Sequence, residues 1–461
     1  MQVNLHRILL ALIVIGNLVA FAGVDPIARV TTAVLAVILA LDLRKMPPTP
    51  RIHRVTAYAV SGLILLQLVP LPPSLRGLLQ PGFSDVMAAG WGPLSLAPWA
   101  TLQFASGLIV AVVLALVSAR MAATRSGLPT LLIVIAVAGI VTAILGLVAE
   151  DSDPTRVLFI RDNIQGGSAY GSFVNRNHFA QAMELTIPAG LVLLVAASRR
   201  LRVPGIARQR AATSMLLATV AVVVSITALI RSGSRGGVFF AVVAAVITLP
   251  WWRRYKRSGR LWPKLVVVVL VGVLIGAMTW NRLPDLKERT MELIAVEGLQ
   301  GNSRIDLWRS TAASWMRAPL FGSGLGTYRY VISMDKPATG AMVLEQAHND
   351  WLEVAATGGA VGAVILMAAV LGLALLLKLS SIRKMRSDLR YPFAAVAFAL
   401  VATSLHEVIG FGLQTPAVRY LAFVWLGLAW GLWERANRHR SERQAVVADR
   451  PSPPSNTEDA S

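Results

Sequence analysis

Long apolar segments dominate the pattern of hydrophobic and polar positions along this chain. An α-helix needs about 20 apolar residues to cross the hydrocarbon core of a bilayer, so each such segment predicts a membrane-spanning helix. The pattern predicts an all-α integral membrane protein with about twelve transmembrane helices and one long, partly helical outer loop. The predicted spans are 8–24, 27–43, 55–72, 103–122, 128–149, 177–198, 211–230, 236–252, 263–280, 350–378, 391–410 and 417–434.

These spans divide the chain into segments that differ in polarity. The C-terminal tail is charged, lacks apolar periodicity and contains a proline-rich run at 451–455, so we expect it to be disordered and cytoplasmic. The segments are 1–149 with about five N-terminal spans, 150–176 as an outer loop, 177–280 with the central spans, 281–349 as the long outer loop, 350–434 with the C-terminal spans, and 435–461 as the tail.

The first span has features of a secretion signal. His6 and Arg7 precede its apolar run, and Ala20-Phe21-Ala22 resembles a cleavage site. We expect an uncleaved helix, and cleavage would leave the topology of the remaining spans unchanged.

Composition and charge narrow the class of protein. Hydrophobic residues make up 55% of the chain and charged residues only 15%, which excludes a soluble globular protein. The net charge of +20 would suit nucleic-acid binding, but the basic residues concentrate in alternate loops, as in the run 253–257. By the positive-inside rule these loops and both termini are cytoplasmic, so the charge sets topology and no nucleic-acid partner is expected. Without cysteines, disulfide and thiol chemistry are excluded.

The entrance to the tenth predicted span carries the main candidate for chemistry. Its sequence is Gln346-Ala347-His348-Asn349-Asp350-Trp351-Leu352-Glu353, followed by Gly358, Gly359 and Gly362. Histidine has an unperturbed pKa of about 6.5, so His348 is suited to accept a proton near neutral pH. Alternatively, His348 is a helix-entry residue that bonds the loop backbone, with Asn349 capping the helix.

Arginines on the outer side form a candidate anion site. Arg231 and Arg235 flank a turn of small residues, where the N–H groups that open the next helix would also face a ligand. A simple turn with snorkelling arginines is the alternative. In the long outer loop, Arg304 and Arg309 lie on a predicted helix. The following Gly322-Ser323-Gly324 lacks the lysine of a nucleotide-binding loop and predicts a turn.

A third polar cluster enters the sixth predicted span. Asn175, Arg176 and Asn177 suit sugar hydroxyls or phosphate, and they equally suit hydrogen bonds between helices. The acidic residues of the long outer loop and the following helix lack the paired spacing of metal ligands, so we expect no metal. The acids considered as possible ligands are Asp306, Glu345, Asp350 and Glu353.

Together these motifs resemble the O-antigen ligase and polymerase superfamily over residues 171–365. His348-Asn349, nine residues, Gly359, two residues and Gly362 are similar to its His-Asn/Ser-x9-Gly-x-x-Gly signature. Three further motifs occur in the family's order: Phe173, Asn175 and Asn177; Ser234-Arg235-Gly236; and Arg304, Trp308, Pro319 and Gly322-Ser323-Gly324. The first spans match in hydropathy alone.

The resemblance implies a metal-independent, cofactor-free glycosyltransferase in a bacterial inner membrane, with its active site facing the periplasm. Its donor would be a glycan on undecaprenyl pyrophosphate, and its acceptor would be lipid A core in a ligase or a lipid-linked glycan in a polymerase. His348 would be the base, kept neutral by neighbouring arginines. Arg235 and Arg304 would bind pyrophosphate, with Arg309 and Arg231 as further candidates. The candidate glycan or acceptor contacts are Asn175, Arg176, Asn177 and Asn349.

Other functional classes stay open. A secondary transporter or a flippase for lipid-linked glycans would also use many spans and intramembrane ionisable residues such as Glu184, His406 and Glu407. The chain lacks the internal repeats that such transporters usually carry. A noncatalytic scaffold of a glycan-assembly complex is a third possibility. Between ligase and polymerase, the Arg-x10-Gly matches at 156–167 and 329–340 decide nothing, since about one such match is expected by chance.

Overall fold

The fold was analysed in a computed structural model of the full chain. It describes residues 2–41, 43, 49–86, 89–152, 156–162, 169–201, 204–253, 304–335, 344–379 and 387–448. Within these ranges the chain is almost entirely helical, apart from short 3-10 turns, isolated bridges and a two-residue hairpin of β1 (Arg156–Val157) and β2 (Arg161–Asp162). The predicted all-α architecture is therefore confirmed.

The helices follow the apolar segments of the sequence. They are α1 (Gln2–Val19), α2 (Pro26–Leu41), α3 (Arg51–Leu68), α4 (Pro73–Leu79), α5 (Pro98–Ala122), α6 (Gly127–Ser152), α7 (Arg176–Arg200), α8 (Ile206–Arg231), α9 (Arg235–Arg253), α10 (304–317), α11 (Tyr328–Asp335), α12 (Asp350–Leu379), α13 (Ser387–His406) and α14 (Pro416–Ala448). Within the described part, seven helices are long and apolar enough to cross a membrane, namely α5 to α9, α12 and α13. The predicted span at 263–280 lies outside the described residues.

Helix α7 lies at the centre of the bundle. Its side chains from His178 to Gly190 are buried, and it packs against α6, α8, α13 and α14. The indole N–H of Trp425 in α14 donates to the carbonyl of Leu185 over 2.7 Å. Because α7 is enclosed by other helices, its polar residues face protein and must find their hydrogen-bond partners there.

Helix α12 is broken at Gly359, where φ is +66°. The break leaves backbone N–H groups without partners in their own helix, and the segment that follows α10 supplies them. Ala360 N–H donates to Pro319 O over 2.8 Å, and Val361 N–H donates to Leu320 O over 3.1 Å. The end of α10 is thereby fixed to the middle of α12.

Glycine is required where these two backbones cross. A Cβ on Gly359 would lie 2.3 Å from the Leu320 carbonyl, and one on Gly322 would lie 2.3 Å from the Thr357 carbonyl. Both glycines also have positive φ, which L-residues rarely adopt. The glycines singled out in the sequence therefore serve a backbone crossing at these positions.

Buried glutamines tie the N-terminal helices to the same crossing. Gln67 of α3 donates to Phe321 O over 2.7 Å and to Thr357 O over 3.0 Å. Gln80, just after α4, donates to Gly322 O over 2.7 Å. These residues lie more than 200 positions from their partners, and the sequence offered no sign of the pairing.

The C-terminal helix is longer than the sequence predicted. Disorder was expected from residue 435, yet α14 continues to Ala448. Glu434 and Arg438 pair one turn apart, and Arg435 lies 3.7 Å from Asp388 of α13. Ion pairs at this spacing and helix-favouring residues keep a polar segment helical, so the prediction of disorder is wrong for residues 435–448.

We expect Gly359→Ala to destabilise the protein by about 2 kcal/mol or more, because a methyl group would clash at the crossing and φ would be strained. Gly362→Ala is the matched control, since a Cβ there would make contacts of 3.4 Å or longer. Thermal unfolding in detergent measures both variants. Equal midpoints would contradict the role assigned to Gly359.

Candidate active site

His348 lies directly before α12 in an unusual backbone conformation. Its φ is +51°, which is uncommon for a residue with a side chain. The side-chain oxygen of Asn349 accepts a hydrogen bond from Leu352 N–H over 3.0 Å and so caps the helix. The capping role foreseen as an alternative for Asn349 is therefore present, and it leaves the imidazole of His348 outside the cap.

The imidazole packs against an aromatic ring from another part of the chain. The rings of His348 and Phe411 meet edge to face, with their centroids 4.6 Å apart. Phe411 also meets the ring of His178, from α7, at 4.4 Å. Phe411 thus lies between two histidines that are far apart in sequence, and it shields part of His348 from water.

The surroundings of His348 favour the neutral ring. Burial, and after it the positive charge of Arg304, lower the pKa of His348 from 6.5 to about 4. The ring is therefore neutral at neutral pH, and one of its nitrogens can accept a proton.

Helix α10 brings Arg304 to His348. Arg304 is half-buried in the first described turn of α10. One turn later, the indole N–H of Trp308 donates to Ala347 O over 3.1 Å. Arg309 is exposed on the same helix and pairs with Asp306 at 3.3 Å. The structure thus brings Arg304 to the histidine and directs Arg309 to a surface ion pair.

The other two candidate motifs meet each other at the start of α7 and α9. The Ser234 hydroxyl donates to the side-chain oxygen of Asn177 over 2.7 Å, and it accepts from Gly237 N–H over 3.1 Å. The side-chain oxygen of Asn175 accepts from Asn177 N–H over 2.8 Å, which caps α7. The two asparagines therefore use their oxygens for helix caps and interhelical bonds, the alternative left open by the sequence.

The arginines of these motifs lie at helix ends around this contact. Arg235 is the first residue of α9 and is exposed, whereas Arg231 ends α8 and is half-buried. Arg176 begins α7 and is also half-buried. Helix N-termini carry partial positive charge, so the starts of α7 and α9 add to the field of these arginines.

His406 begins a segment that joins the turn at Arg235 to His348. A Cβ on Gly236 would lie 3.2 Å from His406 Nε2, while His406 Nδ1 lies 2.8 Å from a carboxylate oxygen of Glu184. The chain leaves α13 at His406 and reaches Phe411 within five residues. The segment 406–411 therefore contacts the Arg235 turn at one end and His348 at the other.

Two buried acids hold the turn that contains Phe411. Glu407 accepts hydrogen bonds from Gly412 N–H over 2.8 Å and from the Gln181 amide over 3.1 Å. Asp350 accepts from Leu413 N–H over 3.2 Å. The turn that carries Phe411 is therefore held by the carboxylates of Glu407 and Asp350.

Sequence reasoning missed this part of the site. It noted Glu184, His406 and Glu407 only as ionisable residues suited to a transporter, and it gave no role to His178 or Phe411. In the structure Glu184, His406 and Glu407 are engaged in internal hydrogen bonds. The sequence did carry one signal, because ionisable groups are costly in an apolar segment and so mark a functional position. That signal does not show which residues they contact.

Part of the chain is similar to a known protein family. Residues 220–367 match the family model described as O-antigen ligase. The matched segment includes Arg231, Arg235, Arg304, Arg309 and His348. No curated protein matches the chain.

We expect Arg304→Gln to raise the pKa of His348, because removal of a positive neighbour favours the protonated ring. The rise should cover only part of the interval between about 4 and 6.5, since burial is the larger cause. NMR titration of ¹³C-labelled histidines, with His348→Gln for assignment, measures it. Arg309→Gln on the same helix is the control and should leave this pKa unchanged. An unchanged pKa in Arg304→Gln would separate Arg304 from His348.

Proposed function

We propose, from the match of residues 220–367 to the O-antigen ligase family and from the motifs that resemble this family, that the protein transfers a glycan from undecaprenyl pyrophosphate to a hydroxyl acceptor. The multi-pass helical bundle and the family match support a membrane enzyme of glycan ligation or polymerisation. We further assign it to a bacterial inner membrane, with both termini cytoplasmic and the site facing the periplasm, on the distribution of basic residues.

One observation carries the proposal: a neutral histidine lies beside an arginine at the entrance of α12. In the reaction, the acceptor oxygen forms a bond to the anomeric carbon while its proton moves to the free ring nitrogen of His348. The bond from the anomeric carbon to the phosphate oxygen breaks, and its electron pair leaves with the pyrophosphate. Arg304 is placed to bind the charge that develops on this leaving group.

Arg235 is the second proposed pyrophosphate ligand. It is exposed at the N-terminus of α9, where the helix dipole and the first N–H groups also favour an anion. An arginine can bind two phosphate oxygens at once, so two guanidinium groups can supply the positive charge that the leaving group requires. Arg231 and Arg176 lie at neighbouring helix ends and would add to the field, while Arg309 is a weaker candidate because it pairs with Asp306.

Donor binding would also tune the base. A pKa of about 4 makes His348 a weak base in the free protein. Negative charge bound at Arg304 would offset the effect of the arginine and raise the pKa of His348 toward the working pH. His348 would therefore become a stronger base when the donor is bound, whereas it would stay unprotonated in the free protein.

Lipid A core would be the acceptor in a ligase, and a growing lipid-linked glycan in a polymerase. Helix caps and an interhelical bond engage the side-chain oxygens of Asn349, Asn175 and Asn177. We therefore expect a sugar to contact the side-chain NH₂ groups of these residues.

We expect His348→Ala to lower transfer about 100-fold or more, the usual contribution of a general base. The assay uses the purified protein with undecaprenyl-pyrophosphate glycan and acceptor. His6→Ala, in α1, is the control for loss of a histidine. Arg235→Lys should also impair transfer although the charge remains, because the two-pronged guanidinium contact is lost.

Two results would overturn the proposal. Unchanged transfer by His348→Ala would remove the histidine from the reaction. Flipping of lipid-linked glycan in proteoliposomes, without any transfer by the wild-type protein, would assign the chain to transport.

A further inference from the structure

Ala347, the residue before His348, is held at both of its backbone polar groups. Its carbonyl oxygen accepts the indole N–H of Trp308 over 3.1 Å. On the other side of Ala347, the backbone N–H donates to Glu353 over 2.9 Å. Ala347 is fully buried, so its own backbone groups are shielded from bulk water.

These bonds fix the direction in which the side chain of His348 leaves the backbone. The positive φ of His348 is an unfavourable conformation for a residue with a side chain, so it persists only where the surrounding structure enforces it. Before His348, Trp308 and Glu353 anchor the chain. After it, Asn349 is held by the first turn of α12, where its carbonyl accepts from Glu353 N–H over 3.0 Å. With both neighbours fixed, the Cα–Cβ bond of His348 has one direction.

Trp308 also sets the position of the histidine relative to the guanidinium group. Trp308 and Arg304 lie one turn apart on α10, on the same side of the helix. The bond from Trp308 to Ala347 therefore joins the helix that carries Arg304 to the segment that carries His348. Movement of α10 would change the spacing between the proposed base and the proposed phosphate ligand.

Glu353 is poorly explained as a packing residue. It is a carboxylate with only 4% of its surface exposed, in the first turn of a largely apolar helix. A buried carboxylate is costly unless it is hydrogen-bonded. Among the residues that the structure describes, its carboxylate accepts hydrogen bonds from the segment before His348: from the Ala347 N–H and, in the amide orientation that satisfies both groups, from the Gln346 side chain at 3.0 and 2.9 Å.

We propose that Trp308 and Glu353 are positioning residues, which hold the Ala347–His348 segment so that His348 faces the reacting acceptor at a fixed distance from Arg304. The inference rests on the proposed glycan transfer. It adds two residues that would contact neither substrate.

Trp308→Phe tests the indole bond, and the chain offers a matched control. Trp315 lies on the same helix, is also half-buried, and donates its indole N–H to Pro319 O over 3.1 Å. Each substitution removes one N–H donor and keeps an aromatic ring. We expect Trp308→Phe to lower kcat between about 10- and 100-fold with little change in KM for the donor, because misplacement of the base affects the transition state most. Trp315→Phe should stay within about twofold of the wild type.

A pair of substitutions tests Glu353. Glu353→Gln keeps an oxygen that can accept from Ala347 N–H, whereas Glu353→Leu removes it at similar volume. We expect Glu353→Gln to retain at least about tenfold more activity than Glu353→Leu. If Trp308→Phe fails to fold, this pair decides the question on its own. In the folded variants, the pKa of His348 should rise in Trp308→Phe and stay unchanged in Trp315→Phe, because α10 would carry Arg304 away from the ring.

The outcomes separate this inference from the proposed function. Equal kcat and equal His348 pKa in Trp308→Phe and Trp315→Phe, or equal activity of the two Glu353 variants, would overturn the positioning role. If His348→Ala is inactive at the same time, the proposed function survives that failure. If His348→Ala is fully active, the proposed function fails whatever the tryptophan variants show.

Discussion

The break in α12 is the constraint on which the site depends. A polar backbone group inside a membrane protein must find a partner, and the N–H groups of Ala360 and Val361 find theirs on Pro319 and Leu320. This crossing fixes one end of α10, and the Trp308–Ala347 bond fixes the other. The two contacts lie 11 residues apart from Trp308 to Pro319 and 13 residues apart from Ala347 to Ala360. Most of these residues are helical and span roughly 15–20 Å at the rise of an α-helix, so α10 and the start of α12 run side by side. Arg304 and His348 come together as a consequence.

Electrostatics set the protonation of His348 and the charge of the surface around it. Burial and, after it, Arg304 keep His348 neutral, and arginines at the helix ends make the surrounding surface suitable for an anion. Beneath this surface, Glu407 and Asp350 shape the turn that places Phe411 against His348. Under the proposed function the arginines face the pyrophosphate, whereas the acids accept hydrogen bonds from backbone N–H groups of the turn and from side-chain amides. Because the arginines and the buried acids bind different partners, one small region can hold charges of both signs.

The sequence predicted features that local pattern encodes. Apolar runs predicted the long helices, and short polar motifs on the predicted outer side singled out His348, Arg304 and the Ser234–Gly237 turn as candidates. Contacts between distant segments could not be read in this way. Phe411 meets a histidine from α7 and another from the start of α12, and nothing in its own surroundings marks it. The extension of α14 to Ala448 was missed for a related reason, since ion pairs rather than apolar periodicity support it.

The central claim is that His348, Arg304 and Arg235 face one bound pyrophosphate. A cryo-electron microscopy structure of the wild-type protein with undecaprenyl pyrophosphate, the proposed product, tests this most directly. The account predicts pyrophosphate density in contact with the guanidinium groups of Arg304 and Arg235, with the imidazole of His348 on the side from which the acceptor would attack. Pyrophosphate bound away from His348, or held by neither arginine, would contradict it.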